Sequence, residues 1–557
     1  MAEKKTFNTL QYLIAMLKQY NIHNIIASPG IQNSRFNSMV QEDNYFRCIS
    51  VYDERSAAYH AVGMSFETDE PTVITCTGAT SSRNYLPAMT EAYYRKIPVI
   101  AITFFNPESN RFNMATQFLD RSISQNDVKY LTVELPVINN EVDKKRCLTY
   151  LNAVFFKAKY FKQPVHINCP SFLDFDTDRS DLPQDIWKTE YYSENFEYLK
   201  EELKNRKIAI FIGSHHRFLE EETLTISNFA KSWNAPVFCD YVSHYVGENK
   251  VLTYRVLNTR RFKNKPDIII DFGGLSDNRA LFTGQEVWRI SPNGDFSARC
   301  DMPVAKLFYC SEKYFFNSLI NDVETNNNYY NELKNDDDNL KIADLPLCNG
   351  YICQKLVEYL PQKCSLHLAI LNSFKNMNYF KLDESIETNC NVGGFGIDGA
   401  ISTLVGQSLC NPDKLYFGLV GDLAFFYDMN ALGQREIKNN VRIIVVNNNK
   451  GVEFRLHPKV EPYMHDKTNL LISAAGHNKR GAKGWAESCG FKYLSASNKE
   501  EFSNQINDFC NSNYDKPLLF EVFTTTEDEQ KGLDLLQTFN RDKLEEGLIK
   551  CYKAIVK

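Results

Sequence analysis

Two short motifs near the C-terminus place oxygen-bearing side chains directly after apolar runs. Residues 415–420 lead into the string Gly-Asp-Leu at 421–423, and residues 441–446 lead into Asn-Asn-Asn-Lys-Gly at 447–451. Asp422 and Asn449 are 27 residues apart, which suits one strand–helix–strand unit with both groups at the same sheet edge. A carboxylate, an amide oxygen and a backbone carbonyl suit octahedral Mg²⁺, whose shell is usually completed by phosphate oxygens and water. The spacing therefore predicts a magnesium and diphosphate site with Asp422, Asn449 and Gly451 as metal ligands.

The Gly-Asp string alone has a second interpretation. A turn glycine followed by a helix N-cap aspartate produces the same dipeptide without any ligand. The functional interpretation depends on the asparagine-rich turn that follows the next predicted strand.

A second acidic motif lies near the N-terminus, where Tyr52-Asp53-Glu54 runs from a predicted strand into a helix rich in small residues. Acidic residues in a first helical turn commonly cap the helix or interact with its dipole. The position of Glu54 is therefore compatible with a catalytic acid and with a structural cap.

Composition limits the classes of protein that could carry these motifs. At 557 residues the chain is too long for a single hydrophobic core. At roughly 150 residues per domain, this length implies about three or four domains. Sixty-three basic against 69 acidic residues give a net charge of −6, which does not favour a nucleic-acid partner. The apolar runs are too short to span a membrane, and the charged N-terminus does not resemble a secretory signal, so we expect a cytoplasmic protein. The fifteen scattered cysteines are interpreted as reduced core residues rather than metal ligands.

The elements that position the motifs follow an alternating pattern of short apolar runs and longer helical segments. This pattern predicts an α/β protein with three domains of mainly parallel sheet, at residues 1–185, 190–340 and 345–557. We expect strands at residues 24–27, 47–52, 72–75, 99–103, 165–168, 365–370, 415–420, 441–446 and 517–522. The polar residues 321–346 are predicted to form a solvated linker.

Several strings together resemble those of the thiamine diphosphate-dependent 2-oxoacid decarboxylases and carboligases. They are Ser28-Pro29-Gly30, Asp53-Glu54-Arg55, residues 164–170, Gly396-Ile397-Asp398-Gly399, residues 421–423 and the triple asparagine. Within that family they are most similar to the MenD branch, which serves menaquinone biosynthesis. The resemblance implies the thiamine diphosphate-binding fold, with a pyrimidine-binding domain, a middle domain and a diphosphate-binding domain.

The resemblance also implies a cofactor, a metal and roles for particular residues. Glu54 corresponds to the acid that hydrogen-bonds the pyrimidine ring of thiamine diphosphate, and Ile397 to the apolar residue that keeps its two rings folded together; both are predicted to be catalytic. The implied cofactor-binding set is Pro29, Glu54, Gly78, Asn84, Gly396, Ile397, Gly421, Asp422, Leu423, Asn449 and Gly451. Mg²⁺ accompanies the diphosphate. The implied assembly is a homodimer or homotetramer whose active sites lie between subunits.

The implied substrates are a small 2-oxoacid donor and an acceptor for its acyl carbanion. The predicted substrate-binding set is Gln32, Arg111, Gln117, Arg279, Ser373, Glu453, Phe454 and Arg455. The chain departs from the MenD pattern where that branch has arginine, because Gln32, Met377 and Val392 occupy those positions. Each missing arginine would remove a charge-assisted contact worth about 1.5–3 kcal/mol. Three alternatives therefore stay open: a different acceptor, simple decarboxylation of a 2-oxoacid, or a catalytically silent scaffold.

Overall fold

The computed structural model describes residues 7–107, 114, 116–117, 125–171, 181–257, 265–276, 285–295, 303–321, 328–393, 395–457, 459–465, 467–478 and 480–540. The chain divides into two compact units. The first comprises Met1–Tyr191 with Asp301–Leu307, and the second comprises Tyr192–Cys300 with Phe308–Lys557.

Helices and strands alternate along the chain. In the first part they are α1 (Thr9–Gln19), β1 (Asn24–Ala27), α2 (Ser34–Glu42), β2 (Arg47–Ser50), α3 (Glu54–Thr68), β3 (Thr72–Thr77), α4 (Thr80–Asn84), α5 (Leu86–Arg95), β4 (Val99–Phe105), β5 (Leu131–Glu134), α6 (Glu141–Phe161) and β6 (Val165–Pro170). In the middle they are β7 (Glu190–Tyr192), α7 (Lys200–Leu203), β8 (Ile208–Ile212), α8 (Glu220–Ser232), β9 (Val237–Cys239), β10 (Lys250–Leu252), α9 (Thr253–Leu257), β11 (Ile268–Phe272), β12 (Glu286–Ile290), β13 (Val304–Phe308), α10 (Glu312–Leu319) and α11 (Tyr329–Asp338).

In the last part they are α12 (Asn349–Tyr359), β14 (Ser365–Leu368), α13 (Asn372–Met377), β15 (Glu387–Asn389), α14 (Ala400–Ser408), β16 (Tyr416–Gly421), α15 (Asp422–Asp428), β17 (Val441–Asn447), α16 (Val452–Leu456), α17 (Asn469–Ser473), α18 (Lys483–Ser488), β18 (Lys492–Ala496), α19 (Lys499–Asn511), β19 (Leu518–Phe523) and α20 (Thr526–Thr538). Short 3₁₀ helices lie at Glu197–Leu199, Met429–Gly433 and Glu461–Tyr463.

The strands form three sheets. The first has the order β2-β1-β3-β4-β6-β5, the second β10-β9-β8-β11-β12-β13-β7, and the third β15-β14-β16-β17-β19-β18. All strand pairs of the first and third sheets are parallel. The pairs that join β10, β9, β8, β11 and β12 are parallel as well. This architecture confirms the predicted fold class of mainly parallel α/β sheets.

Helices cover both faces of the sheets, and this explains the sequence pattern of the central strands. Every residue of β3 and of β17 is buried, so those strands do not alternate between apolar and polar residues, and Arg442 on β17 is their one charged residue. At the N-terminus, Leu10, Leu13 and Leu17 are buried on α1 and form part of the first core. Asn8 starts that helix with a reciprocal capping box to Gln11.

Each of the nine predicted strands lies within or overlaps a strand of the structure, and the first, Asn24–Ala27, has the predicted bounds. The prediction of a solvated linker at residues 321–346 is wrong. Residues 329–338 form α11, in which Tyr329 and Leu333 are each 1% exposed. Asp337, a charged residue within that range, is buried and pairs with Arg255 and Lys381, each at 2.5 Å. Two apolar residues four apart were enough to anchor one helical face.

Within the described ranges, no helix combines the length and the apolar character that crossing a bilayer requires. The thirteen described cysteines are free thiols, and most of them are buried, as predicted for core residues.

Candidate active site

The carboxyl edge of the third sheet carries the predicted metal motif. Strand β16 lies between β14 and β17, and all three are parallel, so their C-terminal ends emerge side by side. Helices α13, α15 and α16 begin shortly after these three strand ends. Ligands of open α/β sheets bind at such an edge.

Asp422, the first residue of α15, is a buried carboxylate with an unsatisfied oxygen. The side chain is 3% exposed, and Oδ1 accepts a hydrogen bond of 2.9 Å from the backbone N–H of Leu423. Oδ2 is buried and has no hydrogen-bond partner among the described residues. Burial raises the pKa of Asp422 to about 7, although backbone N–H groups of Leu423, Asn449 and Lys450 lower it in part. A cation at Oδ2 would restore full ionisation.

His477 is the imidazole next to this carboxylate. Its Nε2 lies 3.8 Å from Asp422 Oδ2, and the ring packs edge-on against Phe426. Burial lowers the pKa of His477, so the imidazole is neutral near pH 7 and does not neutralise Asp422.

The asparagine turn after β17 is built by its own side chains and by β19. Asn447 Oδ1 accepts the backbone N–H of Asn449 at 3.0 Å, while Asn447 Nδ2 donates to Glu521 Oε1 at 2.6 Å. Asn449 adopts a left-handed conformation with φ of 60°, which asparagine tolerates better than most residues. Its Oδ1 accepts the backbone N–H of Asn478 at 3.2 Å. These bonds hold the turn beside the start of α15.

Gly451 has a steric reason to be glycine. A Cβ there would lie 2.9 Å from the ring of Phe454 and 3.0 Å from Leu423. The backbone therefore approaches the first turn of α15 closely only because no side chain intervenes.

Glu521 and Glu529 are two buried acids that sequence reasoning missed. Glu521 on β19 accepts hydrogen bonds from Asn447, from the backbone N–H of Ala482 and from the hydroxyl of Tyr493. Glu529 on α20 accepts the backbone N–H of Asn349 at 3.1 Å with either oxygen. Burial raises the pKa of Glu529 to about 7, and the negative charge of Asp422 adds to the rise. Apart from Thr524, their hydrogen-bond partners lie 28 to 180 residues away in sequence, so no local pattern indicated them.

The residues present fit a divalent cation with a diphosphate. A buried carboxylate oxygen without a hydrogen-bond partner and an asparagine turn beside it suit the oxygen-ligand preference of Mg²⁺. Within the described part of the chain, no group of three or more His, Cys, Asp or Glu side chains could hold a metal ion.

In the first unit, Glu54 is the first residue of α3. Asp53 caps this helix by accepting the backbone N–H groups of Arg55 and Ser56. Because Asp53 already occupies the cap position, the Glu54 carboxyl is left for other partners. Its Oε2 accepts a hydrogen bond of 3.3 Å from the side-chain amide of Asn84, another residue of the predicted set.

The Ser-Pro-Gly loop follows β1 in the same unit. A Cβ at Gly30 would lie 2.2 Å from Thr77 Oγ1, so this loop packs directly against the end of β3. Gly78 is fixed there by a 2.6 Å bond from its N–H to the carbonyl of Phe104. Pro29 is exposed, and Gln32 carries a buried Oε1 without a hydrogen-bond partner in the described structure.

The remaining predicted residues lie in separate places. Ile397 is 37% exposed in the loop before α14, next to Gly396. Ser373 is buried on α13. Gln117 is exposed with a left-handed φ of 61°. Arg111 and Arg279 lie outside the described residues.

Glu453, Phe454 and Arg455 follow the asparagine turn, and the two charged side chains among them contact different parts of the structure. Glu453 Oε1 accepts a hydrogen bond of 2.8 Å from Lys375 Nζ on α13, a residue that sequence reasoning missed. Arg455 instead donates to the carbonyl of Met464 and lines a cavity of about 440 Å³ beside α20.

Residues 7–126 match the family described as "Thiamine pyrophosphate enzyme, N-terminal TPP binding domain". Together with the three α/β sheets, this match confirms the resemblance to the thiamine diphosphate-dependent enzymes noted above.

Over nearly its full length the chain is similar to proteins named 2-succinyl-5-enolpyruvyl-6-hydroxy-3-cyclohexene-1-carboxylate synthase. It is 28% identical to that of Phocaeicola vulgatus, covering 96% of this chain and 97% of the relative. It is 29% identical to that of Bacteroides thetaiotaomicron and 27% to that of Bacteroides fragilis, each over 93% of this chain and 96% of the relative. The Rhodococcus jostii RHA1 thiamine diphosphate-dependent 4-hydroxybenzoylformate decarboxylase aligns with a TM-score of 0.44 at 16% identity, covering 93% of this chain and 99% of that one.

Proposed function

We propose that this chain is a MenD-like synthase of menaquinone biosynthesis. It would decarboxylate a 2-oxoacid and transfer the acyl carbanion to an acceptor, as in 2-succinyl-5-enolpyruvyl-6-hydroxy-3-cyclohexene-1-carboxylate synthesis. The observation that carries the proposal is the partnerless oxygen of Asp422 beside the asparagine turn, in a chain similar to these synthases over more than nine-tenths of its length. Donor and acceptor would be 2-oxoglutarate and isochorismate, the pair that the MenD resemblance implies.

The chain's own residues account for binding and orientation. Asp422, Asn449 and the Gly451 carbonyl would hold Mg²⁺, and the Mg²⁺ would hold the diphosphate at the start of α15. When bound, thiamine diphosphate supplies the electron sink that permits loss of CO₂ from a 2-oxoacid. Glu54 would hold a proton against the pyrimidine ring, with Asn84 orienting its carboxyl group through the 3.3 Å hydrogen bond. Ile397 would support the coenzyme from the loop before α14.

The active unit in this proposal is a homodimer or homotetramer in the cytoplasm. Large apolar side chains are exposed near the candidate residues of each unit: Tyr52 is 91% exposed two residues before Glu54, and Phe454 is 43% exposed beside Gly451. Exposed apolar surface of this kind favours burial in a subunit interface. Free, mostly buried cysteines favour a reducing compartment.

The test is turnover with and without the predicted acid. Wild-type protein with thiamine diphosphate and Mg²⁺ should release CO₂ from 2-oxoglutarate and form the adduct with isochorismate. In Glu54→Gln we expect turnover to fall by roughly a hundredfold or more, because the carboxyl group that would share a proton with the pyrimidine ring is lost. Calorimetric affinity for thiamine diphosphate should stay within a few-fold.

Glu42→Gln on α2 is the matched control, because Glu42 bonds only locally, to Ser38 at 2.7 Å, in the described contacts. CO₂ release that is independent of acceptor and gives no adduct would favour simple decarboxylation. Unchanged turnover in Glu54→Gln would overturn the assignment of the acid.

A further inference from the structure

An ion pair crosses the carboxyl edge of the third sheet. Lys375 Nζ lies 2.8 Å from Glu453 Oε1, and the two side chains are 27% and 22% exposed. Lys375 is on α13, which follows β14, and Glu453 is on α16, which follows β17. Because β14 and β17 flank β16, the pair spans the strand whose end carries Asp422.

The backbone that presents Lys375 is unusual. Leu371, at the start of α13, has a φ of 68°, a conformation that a branched residue adopts only under constraint. The Lys375 N–H bonds the carbonyl of Leu371 at 2.7 Å, so the lysine is tied to this strained position. Strained backbone persists where the surrounding structure requires a particular geometry, often at ligand sites.

Two positions near this edge that carry arginine in the MenD pattern carry an apolar residue here. Met377, at the end of α13, is fully buried, and Val392 is 6% exposed; both belong to the apolar core of this part of the chain. Lys375 is placed to provide positive charge close to the asparagine turn. Its partner Glu453 lies only two residues after Gly451 of that turn. A partly exposed pair of this kind gains little stability, so exchanging the Glu453 carboxylate for another carboxylate costs little.

We infer that Lys375 binds a carboxylate of the donor substrate and that Glu453 is its counter-ion in the free enzyme. The inference rests on the proposed function and deepens it, because it names the residues that discriminate the second carboxylate of the donor. On binding, that carboxylate takes the place of the Glu453 carboxylate at Lys375 Nζ. Glu453 is then a competitor for the cation and opposes binding by like-charge repulsion.

The experiment compares 2-oxoglutarate with 2-oxoglutaramate, the amide in which a neutral group replaces the distal carboxylate, as donors for CO₂ release by the cofactor-loaded enzyme. In Lys375→Met we expect kcat/KM for 2-oxoglutarate to fall about ten- to a hundredfold, mainly through KM, while the value for the amide changes less than about threefold. Lys375→Arg should restore most of the difference. In Glu453→Gln we expect KM for 2-oxoglutarate to fall a few-fold, because the competing charge is gone.

The opposite directions separate a binding role from a structural one, since a merely structural pair would lose activity in both variants. Lys355→Met is the matched control: Lys355 is on α12, pairs with Glu358 at 2.7 Å and is 23% exposed. Equal losses for the two donors in Lys375→Met, with an unchanged thermal midpoint, would overturn the inference while the proposed function stands. Absence of CO₂ release from either donor by the wild type would instead refute the proposed function.

Discussion

At the scale of single residues, Asp422 has a buried oxygen that a bound cation would satisfy. It is buried, one of its oxygens has no hydrogen-bond partner in the described structure, and the neighbouring imidazole of His477 is neutral near pH 7. The pKa of about 7 measures how strongly burial opposes its charge. Metal binding and proton binding therefore compete at the same carboxyl group.

This competition makes a prediction for the cofactor-free protein. Below about pH 7 the proton must leave before Mg²⁺ binds, so we expect the affinity for Mg²⁺ with diphosphate to increase by up to about tenfold per pH unit between about pH 5.5 and 7 and then to level off. In Asp422→Asn the affinity should fall by roughly a hundredfold or more and lose this pH dependence. Titration calorimetry measures both. Asp428→Asn, at the other end of α15, should retain the wild-type profile, and a wild-type affinity that does not vary with pH would contradict the argument.

Residue identity at strand ends was readable from sequence, whereas partners distant in sequence were not. Asp422 and Asn449 stood out because each follows an apolar run and their spacing suits one strand–helix–strand unit. Lys375 and Glu453 are separated by 78 positions and Asn447 and Glu521 by 74. Such contacts arise only when neighbouring strands assemble, so no local periodicity reveals them.

At the scale of elements, Glu529 joins α20 to the start of α12. Its carboxyl group accepts the first backbone N–H of α12, that of Asn349, and the hydroxyl of Thr524 at 2.9 Å. A Cβ at Gly532, one turn further on, would lie 2.3 Å from Cys348 Sγ, so the two helices are in close contact there. The acid is thus buried where one helix packs against the end of another.

The position of Glu529 predicts how stability depends on pH. An unfolded glutamate ionises near its ordinary pKa of 4.5, but burial raises the folded pKa to about 7. The unfolded chain therefore binds fewer protons between these values, and the free energy of unfolding should decrease by as much as about 3 kcal/mol as pH rises through that window. The raised pKa of Asp422 acts in the same direction.

Urea denaturation of the cofactor-free protein at about pH 5 and about pH 7.5 measures the decrease. In Glu529→Gln the difference in unfolding free energy between the two pH values should be about half that of the wild type, because only the contribution of Asp422 remains. Glu527→Gln, on the exposed side of the same helix, should leave it unchanged. If Glu529→Gln retained the full decrease, the buried acid would not be its source.

Elements were predictable in proportion to their length and apolar content. Strands such as β4 and β17 are long and fully apolar over most of their length, and both were expected within one or two residues. Strands of three residues, such as β9, β10 and β15, give no such signal. Helix α11 was missed because its polar composition concealed the spacing of its two buried residues, Tyr329 and Leu333.

At the scale of the whole molecule, large apolar side chains are exposed near candidate residues in both units, as they are elsewhere in the described structure. In the first unit Ile31 is 77% exposed and Tyr52 is 91% exposed; in the second, Leu471 is 91% exposed. A net charge of −6 over 557 residues offers only weak repulsion between copies. These features favour self-association through the surfaces that carry the candidate site.

Light scattering after size exclusion should find a dimer or tetramer at about micromolar concentration. Tyr52→Asp places a charge on the exposed surface next to Glu54, and we expect it to shift the protein toward monomer and to reduce turnover in parallel. Leu219→Asp is the control, because Leu219 is 66% exposed on the middle part of the chain. A fully active monomer, in either the wild type or Tyr52→Asp, would contradict a shared active site.

Glu521 has a consequence for attempts to move this chemistry between proteins. The asparagine turn takes its shape from a carboxylate on β19, which also anchors Ala482 and Tyr493. Residues 447–451 alone would therefore not keep this conformation in another protein. A design that transfers them to another parallel sheet must also place an acidic residue on the adjacent strand, because the turn otherwise lacks the carboxylate that its first asparagine binds.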